Sequence, residues 1–423
     1  MSFELRPHKL VYGGKALAHA QGQTFLVTGA LPGETALVET VGVVKGVVRA
    51  RAVQILIPAA NRVQPPCPYF NTCGGCHYQH LAYPDQVRWK VEIVRETLRH
   101  IGKIPWDRPI KIHQDEPWHC RNQGELKVER TDSADVAIGF FQAESHHLVS
   151  IERCKILSPL LNRTLEQLNQ PAWRRRLGDY REVSLLADDQ DSRVRILLRA
   201  DRHTNEAKLL AEDLLRGIER VSGVVIEAGP ERLVAGDDAV LYQVGSFRYR
   251  ISAGAFFQAS RFLISDLIMA VTDGEKGLVA LDLYAGVGLF SLPLARTFRE
   301  VLAVESQKVS ASDLAWNAQA AGLDNLTISN QRVEDFLRRY ARREPDLVVL
   351  DPPRTGAGPG VLRPLATLRP RRICYVSCHP PTLARDLCFV VRQGYQLESV
   401  ELFDFFPQTY HVECVARLAR SAG

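Results

Sequence analysis

Four short segments of this 423-residue chain carry acids, a thiol and stiff turns at the ends of apolar runs. Such ends are where open α/β sheets do their chemistry. The first runs from Leu278 to Phe290 and passes from a strand-like stretch containing Asp282 into Tyr284-Ala285-Gly286-Val287-Gly288. A Gly-x-Gly turn after a strand lets a nucleoside approach the chain closely and places backbone amides beside it. Ser291 stands where a dinucleotide fingerprint has its third glycine, and the next apolar run, Val301 to Val304, ends in Glu305, positioned to accept both hydroxyls of a ribose. A nucleoside without a pyrophosphate is therefore expected, and S-adenosylmethionine fits that description. The second segment, Asp346 to Arg354, delivers Asp351-Pro352-Pro353 to the same edge. Two consecutive prolines stiffen the loop and remove two amide donors. The third, Arg372 to Pro380, ends in Ser377-Cys378, which places a thiol among the cofactor loops as a candidate nucleophile; Cys374, inside the run, is expected to be core. The fourth, Asp404 to Glu413, combines aromatic residues with an acid, Glu413, that can act as a base in surroundings that raise its proton affinity.

A separate set of thiols lies upstream. Cys67, Cys73 and Cys76, with Gly74-Gly75 between the last two, can converge on one inorganic centre, with Cys154 as the natural fourth ligand. Tetrahedral zinc and a four-iron four-sulfur cluster both accept four thiolates, and the spacing does not choose between them. The chain has nine cysteines, an odd number, and its start lacks the apolar core of a secretory signal, so a disulfide framework is not expected.

Elements that position these groups follow from the periodicity. A composition that is 46% hydrophobic and 24% charged excludes disordered, collagenous and coiled-coil classes, and no run is long enough to span a bilayer. A cytoplasmic protein is the expectation, and a net charge of +5 is too small to identify a nucleic-acid partner by itself. Short β-rich runs broken by glycine over residues 1–58 predict a small β-barrel, and three prolines within 60–68 predict a linker. Residues 59–249 read as an α+β region, in which Val87, Val91, Val94, Leu98 and Ile101 line one face of a helix over 84–102 that can pack on the catalytic region. From 250 to 423, apolar runs at 278–283, 301–305, 346–350, 372–377, 397–402 and 411–417 alternate with amphipathic helices, which predicts a largely parallel sheet covered on both faces. The last two runs are expected to pair antiparallel at its edge.

These motifs resemble, in order and over nearly the whole chain, the S-adenosylmethionine-dependent RNA 5-methyluridine methyltransferases. The resemblance runs through Arg62-Val63 to Cys76, Tyr83, Gln86, Lys90, Gly139-Phe140-Phe141, Cys154, Ala255-Phe256-Phe257-Gln258, Asp351 to Arg354, Ser377-Cys378 and Phe406 to Glu413. It implies a Rossmann-like class I methyltransferase domain, an N-terminal TRAM-like barrel and a central iron–sulfur-bearing domain. It further implies that Cys67, Cys73, Cys76 and Cys154 hold a four-iron four-sulfur cluster. Gln258, Tyr284, Glu305 and Asp351, with Asp282 and Gly286 of the turn, are implied to bind S-adenosylmethionine, Cys378 to be the nucleophile and Glu413 the base. The barrel makes the chain similar to the branch that modifies large-subunit ribosomal RNA, acting as a monomer; the T loop of transfer RNA is the alternative substrate. Cytosine-5 methylation is a poorer match because Asp351-Pro352-Pro353 carries no cysteine, and a non-catalytic RNA-binding iron–sulfur protein is the alternative outside enzymes. His379 and Leu289 depart from residues common in the family, and no role is transferred to them.

Overall fold

The computed structural model describes residues 2–131, 135–202, 204–341 and 344–421. Its C-terminal sheet is eight-stranded, in the order Leu326–Ser329, Phe298–Val304, Gly277–Leu283, Leu347–Leu350, Arg372–Ser377, Glu413–Arg420, Tyr395–Phe403 and Lys111–His113. The first five strands are parallel, and Glu413–Arg420 runs antiparallel to both of its neighbours. The last two strands pair antiparallel, as their short connection predicts, but contrary to expectation they do not form the edge. Lys111–His113, from the middle of the chain, adds a further strand parallel to Tyr395–Phe403.

Central strands of such a sheet are apolar on both faces, and alternate residues enter different cores. Leu281, Leu283, Val348, Leu350, Ile373 and Tyr375 pack on one side; Ala280, Val301, Ala303, Leu347, Val349, Cys374 and Val376 pack on the other. Val91, Val94 and Leu98 of the helix Tyr83–His100 belong to the first core. The hairpin Ala239–Val244 and Phe247–Ser252 places Val240, Tyr242, Tyr249 and Ile251 in the second. Three segments upstream of residue 253 thus help to build the C-terminal unit.

The N-terminal region forms a six-stranded sheet, ordered Ser2–Leu5, Thr35–Val44, Val47–Ile57, Gln23–Thr28, Lys15–Ala20, Lys9–Val11. Leu5, Ala18, Phe25, Val27, Val38 and Val48, from five of its strands, share one core, so the sheet wraps around its own interior. Between these units lies a seven-stranded sheet whose core includes Leu126, Ile138, Leu185, Ile196 and Val224, backed by the helices Pro159–Leu168 and Ala207–Gly217. Among the described residues, no helix is long and apolar enough to cross a membrane.

Candidate active site

A cavity of about 900 Å³ opens between the central and C-terminal regions, a size suited to a nucleoside ligand. Gln258, Tyr284, Gly286, Glu305, Asp351, Cys378 and Glu413 line it, together with Cys67, Cys73, Cys76 and Cys154. Asp282 stands apart. It is fully buried behind the turn, where its carboxylate accepts the Ser291 hydroxyl, and burial raises it to about 7. Its place is beneath the cofactor turn, not on the cavity wall.

The strand Gly277–Leu283 ends in a turn whose amides are already engaged. Tyr284 N and Ala285 N both donate to the Val304 carbonyl at 3.0 Å, and Gly288 N donates to Ala285 O at 2.9 Å. Gly286 N donates to Glu305 Oε2 at 2.9 Å, while Gln307 N donates to Glu305 Oε1 at 2.6 Å. The turn therefore does not offer these amides to a ligand, contrary to the expectation from Gly-x-Gly. It fixes the Glu305 carboxylate, whose remaining lone pairs stay available. The two glycines differ in purpose. A Cβ at Gly286 would meet nothing within 4 Å, leaving room for a ligand, whereas one at Gly288 would lie 2.2 Å from Leu314, so that glycine serves helix packing. Tyr284 adopts a left-handed backbone (φ 69°), a strained conformation of the kind found at functional sites. The apolar helix expected after the turn is one turn long, Ser291–Leu294. Gln258 is buried, and its carbonyl accepts Asn122 Nδ2 at 3.2 Å.

Elsewhere on the cavity wall, buried acids and a thiol are raised together. Asp351 follows the strand Leu347–Leu350, and burial with the neighbouring Asp282 charge raises it to about 7. Glu413 opens the last strand opposite Phe403, is 4% exposed, and its Oε1 has no hydrogen-bond partner. Burial and the Asp351 charge push its carboxyl well above the usual range, against the pull of Arg354. The Cys378 thiol is pushed to about 11 by burial and by Glu413 and Asp351, while the Arg354 guanidinium, its hydrogen-bond partner, lowers it. His379 gives no such help. Its ring Nδ1 accepts Thr382 N at 3.3 Å as the N-cap of helix Pro380–Arg392, and burial with Arg354 and Arg385 nearby keeps it neutral.

The nine cysteines are all free. Cys67, Cys73, Cys76 and Cys154 occupy one wall of the cavity and feel one another's charge, with Cys73 raised to about 11 and Cys76 to about 12, mainly by burial. Cys120 is buried away from that wall. Among the described residues, no group of three or more His, Cys, Asp or Glu side chains converges as a metal site. Four half-buried free thiols on one wall are donors of the type a thiolate-bound group takes, but they are not gathered around one point.

The loop Asp404–Val412 holds Glu413 through residues that composition did not single out as functional. Lys90 Nζ donates to Asp404 Oδ1 at 2.6 Å in a fully buried pair and to Phe406 O at 3.0 Å. Gln86 Nε2 donates to Gln408 Oε1 at 2.9 Å, and Gln408 N donates back to Gln86 Oε1 at 3.1 Å. Gln408, left-handed at φ 67°, also accepts His77 N and Tyr78 N on its carbonyl. This clamp makes the last strand begin at Glu413 instead of at 411. Its signal in the sequence was two polar residues, Gln86 and Lys90, four apart on the otherwise apolar helix face.

Residues 83–421 match the family described as tRNA (uracil-5-)-methyltransferase. The chain belongs to that family. It is an S-adenosylmethionine-dependent RNA (uracil-5-)-methyltransferase with a mixed α/β fold of several sheets. An uncharacterized RNA methyltransferase of Gloeobacter violaceus is 32% identical, covering 97% of this chain and 95% of its own. Another, of Thermotoga maritima, is 32% identical over 99% of each chain. The structure of Pyrococcus abyssi tRNA (uracil-54, C5)-methyltransferase in complex with S-adenosyl-L-homocysteine aligns with a TM-score of 0.77 at 22% identity, covering 99% of this methyltransferase and 100% of the other chain. The shared fold thus covers nearly the whole of both chains.

Proposed function

We propose that this methyltransferase modifies carbon 5 of a uridine in large-subunit ribosomal RNA through a covalent Cys378 adduct. The observation that carries the mechanism is one cavity joining the Glu305 turn to Cys378 and to a buried, unpartnered Glu413 oxygen. Carbon 5 of uracil is a poor nucleophile toward a sulfonium methyl. Addition of the Cys378 thiolate to carbon 6 converts the ring to an enolate whose carbon 5 attacks the sulfonium methyl, breaking the S–CH3 bond and releasing S-adenosylhomocysteine. Glu413 then removes the carbon 5 proton, the double bond re-forms and Cys378 leaves. Glu305 places a carboxylate in the cavity, and a cationic sulfonium beside Asp351 and Glu413 would favour their charged forms against the effect of burial. Glu305 would hold the ribose, Tyr284 and Gly286 would flank the nucleoside, Gln258 and Asp351 would orient the methyl donor, and Arg354 would stabilise the thiolate. Asp282 supports the turn from behind. The target base must leave its stack to reach this depth.

The N-terminal sheet is read as a TRAM-like module over 1–58, followed by a central region over 59–249 and a catalytic region over 250–423. Cys67, Cys73, Cys76 and Cys154 would hold a four-iron four-sulfur cluster, which when bound ties the 67–76 loop to the segment around residue 154. Iron and acid-labile sulfide in anaerobically purified protein, lost in Cys76→Ser, test that assignment.

The ribosomal reading rests on the motif resemblance. A second reading, the T-loop uridine of transfer RNA, is favoured by the end-to-end likeness to the Pyrococcus abyssi enzyme. Mass mapping of 5-methyluridine in unmodified ribosomal and transfer RNA after incubation with the protein separates the two. Product on transfer RNA alone overturns the ribosomal reading, and methylation by Cys378→Ala overturns the covalent mechanism.

A further inference from the structure

The strand Lys9–Val11 of the N-terminal sheet runs into Tyr12-Gly13-Gly14 at the mouth of the cavity. The approach is close. A Cβ on Gly14, whose φ is +79°, would lie 3.0 Å from the Tyr410 ring and 3.2 Å from His77. The turn delivers Tyr12 into a set of rings from separate parts of the chain. Its centroid is 5.0 Å from His379 at an interplanar angle of 85° and 5.2 Å from Tyr410 at 83°. Tyr410 in turn contacts His77 at 4.6 Å and His411 at 4.1 Å, both of which line the cavity. Tyr12, Tyr410 and His379 do not line it; each is only partly buried, and they border its lining through His77, His411 and Cys378.

We propose that Tyr12, with Tyr410 and His379, forms an aromatic lip that stacks the RNA base next to the target uridine while that uridine occupies the cavity. The inference rests on the proposed entry of a flipped uridine beside Cys378. Turning one base out of a stack strips its neighbour of a stacking partner, and an aromatic ring replaces that partner whatever the neighbour's identity. The lip suits this role chemically. Burial holds the Tyr12 phenol in its neutral form, and His379 is likewise neutral, so both present uncharged rings. Tyr12 is near enough to the nucleophile for the Cys378 and Arg354 charges to act on it.

Steady-state methylation of whichever unmodified transcript the wild-type protein accepts, ribosomal or transfer RNA, tests the lip. Loss of one base–aromatic stack predicts that Tyr12→Ala raises the RNA KM about tenfold or more, with the loss falling on KM and not on kcat. Tyr12→Leu, which retains apolar bulk for packing, should raise KM similarly, and Tyr12→Phe should restore it. The S-adenosylmethionine dissociation constant should not move. An unchanged RNA KM in Tyr12→Leu overturns the proposal. So does a Tyr12→Phe defect equal to that of Tyr12→Leu, which would assign the effect to the hydroxyl, or a loss confined to kcat or cofactor binding, which would assign Tyr12 to packing. Cys378→Ala, assayed in parallel, separates the two levels: residual methylation there breaks the covalent mechanism, whereas an inactive Cys378→Ala with no Tyr12 effect on KM breaks only the lip.

Discussion

Glu305 and Glu413 line the same cavity, yet both oxygens of Glu305 accept backbone amides while Oε1 of Glu413 has no partner. Around Glu305 the turn amides are internally bonded, so that end is a rigid receptor whose geometry exists before a ligand arrives. Around Glu413, burial raises two carboxyls and a thiol together, leaving that end with groups ready to exchange protons. On the proposed reading, binding and reaction fall to different carboxylates of one cavity, and substitutions should fail differently at each.

The largest effect is expected from Cys378→Ala, which should reduce methylation by roughly ten-thousandfold or more while leaving S-adenosylmethionine binding intact, as calorimetry on the same preparation would check. Glu413→Gln should lower turnover by about 10²- to 10⁴-fold, the range for loss of a general base. Unlike Cys378→Ala, it should accumulate methylated RNA covalently attached to protein, visible as a shifted band on a denaturing gel. By contrast, Glu305→Ala removes a charged hydrogen-bonding group and should weaken cofactor binding by about tenfold or more, with little effect on turnover at saturating cofactor. Equal kcat losses at Glu305 and Glu413 would erase the contrast. The smallest effect concerns ionisation. In cofactor-free protein, alkylation of Cys378 should speed up as pH rises toward about 11, because the thiolate is the reactive form. Arg354→Ala should move that profile to higher pH, since Arg354 is the group that favours the charged sulfur; a shift in the opposite direction would remove Arg354 from the assignment.

Much of the catalytic half was legible because parallel, doubly buried strands appear as uninterrupted apolar runs. Leu347–Leu350 and Arg372–Ser377 lie where those runs stand, and each leads directly to its chemical residue. Other elements left weaker traces. Lys15–Ala20 is half alanine, a poor strand former, and Lys111–His113 is three residues long and owes its place to pairing with a strand near residue 401. The contact between Gln86 and Gln408 spans 322 residues, beyond any local pattern. The meaning of the Gly-x-Gly turn was only half visible, since its glycines could be read but not the Val304 carbonyl and Glu305 side chain that engage its amides. His379 could be noted as a departure, but only the folded helix N-terminus explains it: the ring caps the chain instead of ionising the thiol.

The carbonyl of Gln408 receives two amides from the cysteine-bearing loop, and its side chain is locked to a helix that begins a few residues later. A fragment trimmed to the nucleotide-binding sheet alone would expose those groups to water and release the peptide that sets where Glu413 emerges. The reaction centre is therefore indivisible from the upstream segments: minimal versions must retain residues 77 to 100, or the proton acceptor will lose its address.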